Sequence, residues 1–333
     1  MSVLLLTKYD TKGASSRVRF YQFLPLDEVN IFVCPLISNK QLMFKYRFGF
    51  YPPSLLFNYC YRLLLLVFVR RKVVDLLLVE KELFPSVPVF FEAWVYRKSA
   101  TILDYDDGVH LASSKFRKIA ALANKITVGS YSLMDFYSSY NANVKYYPST
   151  MNRSTRFTNN QNYKRILWIG SPSTSSQLDL IISMVLKWCD IHSWHLRVVG
   201  YHGLNIDVLS KHERVELLDW TFEDEDLFFQ NVDVGLMPLD YTDWNNYKCS
   251  YKIIQYMAHD IPVIASAVGE NVRIVNNGEN GLLVDQISEF EDALTLFKKK
   301  NLNQLRMQTK MIYDNELSFD LAREIFIKGI CVE

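Results

Sequence analysis

The chain has 333 residues, 49% of them apolar, and a formal net charge of +1. That length suits two domains of ordinary size with full hydrophobic cores. The near-neutral balance argues against a nucleic-acid protein, whose affinity needs a clear basic excess. The opening MSVLLLTKYD reads as a first buried strand rather than a signal peptide, having neither a basic leader nor a small-residue cleavage site. Further short runs rich in Val, Ile and Leu follow at 29–36, 74–80, 100–105, 125–130 and 144–149. Helical or irregular segments separate them, and such alternation predicts a parallel sheet with helices on both faces.

Between Glu28 and Asp75 there is no acidic residue, while Lys40, Lys45, Arg47, Arg62, Arg70, Arg71 and Lys72 are basic, and Phe44, Tyr46, Phe48, Phe50, Tyr51, Phe57, Tyr59 and Tyr61 lie among them. Two readings of residues 40–72 stand side by side. One is a core helix with solvated cations at its ends, and the other is a basic, aromatic surface resting on anionic lipid headgroups. The longest unbroken apolar run, 63–69, is too short to span a bilayer. Residues 151–163, rich in Asn, Ser and Thr, break the alternation and read as an interdomain linker. The pattern then restarts, with strands expected at 165–170, 196–200, 215–220, 232–239, 261–266 and 281–284. The expected organisation is therefore an α/β chain of two Rossmann-like domains, 1–150 and 164–314, facing a central cleft, with a terminal helix at 315–333. Five scattered cysteines without a CxxC pair suit a reduced, cytosolic chain with no structural metal.

Residues 248–281, KCSYKIIQYMAHDIPVIASAVGENVRIVNNGENG, are the densest stretch. Tyr251, Ile254, Met257 and Ala258 fall at helical spacing, and Pro262 forbids that helix to continue. A β-branched strand follows, then Gly269, then a second helix near Glu270 whose free N–H groups suit a phosphate. Together with VDVGLMPL at 232–239, this wording resembles the donor-binding half of a retaining GT-B glycosyltransferase of the family 4 kind. GASSRVRFYQFLPL (13–26), ILDYDDGVH (102–110) and ITVGSYSLMDFY (126–137) resemble the amino-terminal half of the same family.

The resemblance implies a nucleoside-diphosphate sugar as donor substrate, no cofactor or metal, and a glycan or polyprenyl-linked acceptor. It also implies surface polysaccharide assembly on the cytoplasmic face of a membrane. Where such enzymes carry two glutamates eight residues apart, this chain has Tyr247 and Gln255. Gln255 still offers an amide oxygen and nitrogen to ribose hydroxyls. The loop GSPSTSSQ (170–177) holds no cation, so Gly170 and Ser171 are left to offer backbone N–H groups and hydroxyls. Lys252, with Lys248 second, is then expected to supply the charge that the diphosphate needs. Arg17 and Arg19, past the Gly13 loop, are expected to add to it, and Gly269, Glu270 and Asn271 to approach the diphosphate or the sugar. The acidic cluster Asp104, Asp106, Asp107 allows two readings: a DxD metal–diphosphate site, or carboxylates that orient or deprotonate the acceptor, with Asp106 and Asp107 foremost and His110 third. A GT-B-shaped binding or scaffold subunit without catalysis is the alternative, motivated by the missing glutamates.

Overall fold

The computed structural model describes residues 1–27, 29–69, 74–152, 162–221 and 225–331. It divides into two compact units, one of Met1–Ser149, Tyr247–Cys249 and Ala322–Glu333, the other of Thr150–Asn246 and Ser250–Leu321.

The first unit holds β1 (Ser2–Leu6), β2 (Asn30–Val33), β3 (Leu76–Glu80), β4 (Thr101–Tyr105), β5 (Lys125–Val128) and β6 (Val144–Tyr146). They pair in parallel in the order β2-β1-β3-β4-β5-β6. Every residue of β3 and β4 is buried, as expected of strands covered by helices on both faces. The crossovers carry α1 (Ala14–Arg19), α2 (Asn39–Phe48), α3 (Leu55–Val69), α4 (Val89–Tyr96), α5 (Lys115–Ala120) and α6 (Tyr131–Ser138). Local chemistry sets several of their ends. Ser38 and Gln41 form a capping box at the start of α2, Gly49 closes it at φ 82°, and the Ser130 hydroxyl accepts from Leu133 N at the start of α6.

The second unit repeats the plan with β7 (Arg165–Ile169), β8 (His195–Val199), β9 (Val215–Leu218), β10 (Val234–Met237), β11 (Val263–Ser266) and β12 (Gly281–Val284). Their order is β12-β11-β10-β7-β8-β9, again parallel. Its helices are α7 (Ser175–Asp179), α8 (Ile182–His192), α9 (Ile206–Lys211), α10 (Asp243–Asn246), α11 (Tyr251–Ala258), α12 (Glu270–Ile274), α13 (Phe290–Phe297) and α14 (Leu302–Ile312). A last helix, α15 (Phe319–Cys331), joins the first unit from Ala322 on. There Phe326 stacks on Phe23 at 5.3 Å, and Lys125 Nζ donates to Gly329 O at 2.8 Å.

Three expectations change. Tyr247–Cys249, read within the carboxyl-terminal domain, cluster with the first unit, so Lys248 and Lys252 belong to different units. Arg62, counted with the surface cations, is buried. Its guanidinium donates to Thr7 O and Cys34 O at 2.6 Å and to Leu83 O at 3.1 Å, tying α3 to the ends of β1 and β2. The planar fork of guanidinium donors reaches all three carbonyls at once. Third, α3 is neither a core helix nor a wholly basic surface: Leu56, Phe57, Tyr61, Leu63, Leu64 and Val67 are exposed, Phe57 at 76%. Arg70, Arg71, Lys72 and linker residues 153–161 lie outside the described residues. No helix among the described residues is long and apolar enough to cross a membrane.

Candidate active site

In each sheet the chain leaves the first strand toward one edge and later returns to the other side of it, opening a switch point at the carboxyl ends of the strands. Ligands of open α/β sheets bind at such points. In the first unit the point lies between β1 and β3, where the start of α1 meets Glu80. Gly13 leads into α1 because a Cβ there would stand 2.1 Å from Tyr9 Cβ. That close approach brings the hydroxyls of Ser15 and Ser16 onto Glu80, at 2.8 Å and 2.5 Å.

Lys81 is the centre of the charged cluster. It follows β3 directly at φ 63°, a left-handed conformation costly for a side-chain-bearing residue, and its N–H donates to Asp104 O at 2.9 Å. Its ammonium pairs with Asp106 Oδ1 and Asp107 Oδ2, both at 2.8 Å. Burial opposes its charge, but Asp106, Asp107 and Glu80 outweigh burial and hold the Lys81 pKa well above the ordinary value. Burial likewise pushes against ionised Asp106, and Lys81 with Ser15 overcomes it, so that carboxyl lies below its ordinary range. Glu80, fully enclosed and beside Asp106, is raised, chiefly by burial.

The neighbouring acid has a separate partner. Arg19 donates to both oxygens of Asp104, at 2.6 and 2.9 Å, and to Tyr147 O at 2.6 Å, with its guanidinium over the Tyr147 ring. It is fully buried, so the expectation that Arg19 reaches a diphosphate is corrected: it is a structural cation. Arg17, on the same helix, is half-buried. The DxD reading meets the same protein cations. Asp104 is held by Arg19 and Asp106 by Lys81, so a divalent ion bridging them would have to displace two protein cations. His110 is buried in an aromatic nest, 3.7 Å from the Phe136 ring and edge-on to Tyr247, and burial lowers its pKa to about 4. Neither of its ring nitrogens has a hydrogen-bond partner among the described residues. A neutral imidazole in that nest is a poor proton acceptor.

In the second unit the switch point lies between β7 and β10, where Tyr256 Oη bridges Ile169 N and Leu236 O. The loop 170–175 leaves β7 here. Gly170 is required, since a Cβ would fall 2.4 Å from the Trp168 ring. Lys252, on the first turn of α11, lies 4.5 Å over that same ring and donates to Gln177 Oε1 at 2.9 Å. A cation therefore stands at the hydroxyl-rich loop that has none of its own. Ser171 N is already spent on Thr174 Oγ1 at 3.0 Å, so the loop offers fewer free backbone donors than expected.

Gln255 is buried, and its amide nitrogen donates to Glu225 Oε1 at 3.0 Å. His259 bridges Gln255 O and Asp226 Oδ1, at 3.0 and 3.1 Å. Gly269 takes φ 53°, with Asn246 O where a Cβ would come within 2.6 Å. The next helix, the expected phosphate seat, has two of its first N–H groups already bonded. α12 is only five residues long, and its N–H groups at Asn271 and Val272 are bonded to Val268 O and Gly269 O. The Asn271 side chain is likewise committed, accepting from Ser250 Oγ at 2.5 Å and donating to Ser266 O at 2.9 Å. Buried Glu270 pairs with Arg273.

Residues 163–297 match the family model for glycosyl transferases group 1. The whole architecture, two six-stranded parallel sheets each flanked by helices, recurs in solved structures. It is the GT-B fold. The GT-B chain is similar to Anabaena HepE in complex with UDP and glucose, with a TM-score of 0.71 at 11% identity, covering 99% of both chains. It is similar to the pneumococcal O-GlcNAc transferase GtfA in complex with UDP and GlcNAc, with a TM-score of 0.63 at 12% identity over 84% of this chain. TarM, from S. aureus, scores 0.62 at 11% identity over 81% of this chain. The GT-B chain spans only 58% of TarM and 60% of GtfA. No curated protein sequence matches it.

The expected site residues thus fall into groups. Asp106 and Asp107 share one ion cluster, and Lys252 meets Gly170 across Trp168. Lys81, Glu80, Ser15 and Glu225 escaped sequence reading. The available signal was the charged pair Glu80-Lys81 directly after the apolar run LLLV, at the carboxyl end of a strand.

Proposed function

We propose that the chain is a glycosyltransferase that moves a sugar from a nucleoside-diphosphate sugar to a hydroxyl of a glycan or polyprenyl-linked acceptor. The observation that carries this reading is Lys252, a cation held over Trp168 beside the loop after β7 within the family-matched segment. There it offsets the charge of the diphosphate as it departs, the largest single contribution expected in such a transfer. Lys248 and Arg17 add charge as the donor binds, and Gln255 with Glu225 takes the ribose hydroxyls. Asp106, ionised and oriented by Lys81, receives or orients the acceptor hydroxyl, with Asp107 beside it. Transfer proceeds with retention and without a metal, the role of the cation being taken by Lys252.

The setting is surface polysaccharide assembly at the cytoplasmic face of the cell membrane. Supporting this, the exposed apolar side of α3 lies in a stretch whose Lys40 and Arg47 are also exposed, the chemistry that an anionic lipid surface accepts. The alternative, a binding or scaffold subunit without catalysis, draws on the amide at 255 and the cation-free 170–177 loop.

A thermal-shift panel of UDP, GDP, dTDP, CMP and NAD tests the reading, since a ligand of the native state raises its melting temperature. One nucleoside diphosphate should shift the wild type. Lys252→Ala should weaken it roughly 10- to 100-fold, as expected for loss of a charge-assisted bond worth about 1.5–3 kcal/mol. A shift with NAD alone would sink the transferase reading, and nucleotide binding without transfer would favour the scaffold.

A further inference from the structure

The hydroxyl of Ser15 lies within hydrogen-bonding distance of two carboxylates, Glu80 Oε1 at 2.8 Å and Asp106 Oδ2. A serine hydroxyl has one proton to donate and lone pairs to accept with. Two ionised carboxylates would therefore leave one buried oxygen facing another with no proton between them. The remaining contacts decide where the missing proton goes. Asp106 Oδ1 is against the Lys81 ammonium, and Glu80 Oε2 accepts from Ser16 Oγ and from Lys8 N at 2.8 Å. Glu80 Oε1 and Asp106 Oδ2 both have Ser15 as their only donor in these contacts, and the Lys81 ammonium against the other oxygen of Asp106 favours the ionised form there, so the proton falls on Glu80 Oε1.

We infer that Glu80 is protonated on Oε1 at neutral pH and donates to Ser15, which donates in turn to Asp106, so that Glu80, Ser15 and Lys81 are positioning residues that keep Asp106 a carboxylate. Each contact of Ser15 with the two carboxylates then holds one proton, and Asp106 Oδ1, which has no hydrogen-bond partner among the described residues, is met by the Lys81 ammonium as an ion pair. Were Glu80 ionised, its charge would stand across one hydroxyl from Asp106 and raise the proton affinity of Asp106. The charged and titratable groups facing Glu80 are Lys81, Asp106, Lys8, Tyr9, Tyr21 and Arg62. Burial acts against ionised Glu80 more strongly than any of these acts for it, in agreement with the hydrogen-bond count. The inference rests on the reading of Asp106 as the group that meets the acceptor, but the protonation state is measurable without it.

The test is an infrared spectrum of the full chain in the carboxyl-stretch region. A protonated-carboxyl band should be present in the wild type near neutral pH, where unperturbed carboxyls are ionised, and should vanish only as pH rises further. It should be absent from Glu80→Gln, which keeps the size and the donor of a neutral glutamic acid. In Ser15→Ala the band should persist and move to higher frequency, because the carboxyl has lost its acceptor. A wild type without the band overturns the inference, and so does a band that survives in E80Q. Neither measurement uses a nucleotide, so a failed transferase reading leaves the band untouched and a failed inference leaves the nucleotide shift untouched.

Discussion

Replacing Lys81 by methionine keeps the length of the side chain and removes its charge. The ammonium lies 2.8 Å from two carboxylates, and the side chain of Asp106 is only 10% exposed. Removing one partner of a buried pair costs about 3–5 kcal/mol, because the remaining charge is left uncompensated. Asp107 is 33% exposed, so water covers part of its loss, and the lower end, about 3 kcal/mol, is expected. The pH dependence follows from the sign of each shift. In the wild type the Asp106 pKa is depressed, so its contribution is present above the ordinary Asp value and is lost as pH falls through the folded value. In Lys81→Met the same carboxyl loses the charge that depressed it and is raised by burial, so the variant recovers as pH falls and Asp106 takes up a proton. Urea unfolding of both proteins at neutral and acidic pH reads this directly. The penalty should be largest near neutrality, should shrink toward acid, and should be largely recovered in Lys81→Met/Asp106→Asn. A neutral-pH cost below about 1 kcal/mol, or one that does not change with pH, would refute the buried-cluster argument.

Two further outcomes follow from the geometry. Gly269→Ala places a Cβ 2.6 Å from Asn246 O at φ 53°, and the conformational strain alone costs about 1–3 kcal/mol, so its thermal midpoint should fall clearly below that of the wild type. On α3, Phe57→Asp with Leu64→Asp changes exposed side chains and should leave stability within about 0.5 kcal/mol. The same pair should abolish pelleting with anionic vesicles. Undiminished pelleting would remove α3 from the membrane surface.

The twelve strands were legible because a buried parallel strand is a short run of Val, Ile and Leu bounded by polar residues, a one-dimensional property. Helix α11 was legible for a similar reason, since its apolar spacing and the Pro262 that ends it are both local in the chain. Asp106 was legible as a carboxylate at a strand end. Its partner Lys81 was not, because the pairing joins the end of one strand to the loop after another, far apart in the chain.

Composition, strand pattern and the wording of 248–281 by themselves determined the α/β class, the two-sheet plan and the region that carries the family match. Only the tertiary structure decided the fate of each cation. Arg19, Arg62 and Lys81 look alike in sequence, yet one neutralises Asp104, one ties three carbonyls and one holds Asp106 and Asp107. Charge is a property of a residue, but burial and partnership arise from contacts between strands and helices far apart in the chain. The energy of a charge depends on those contacts.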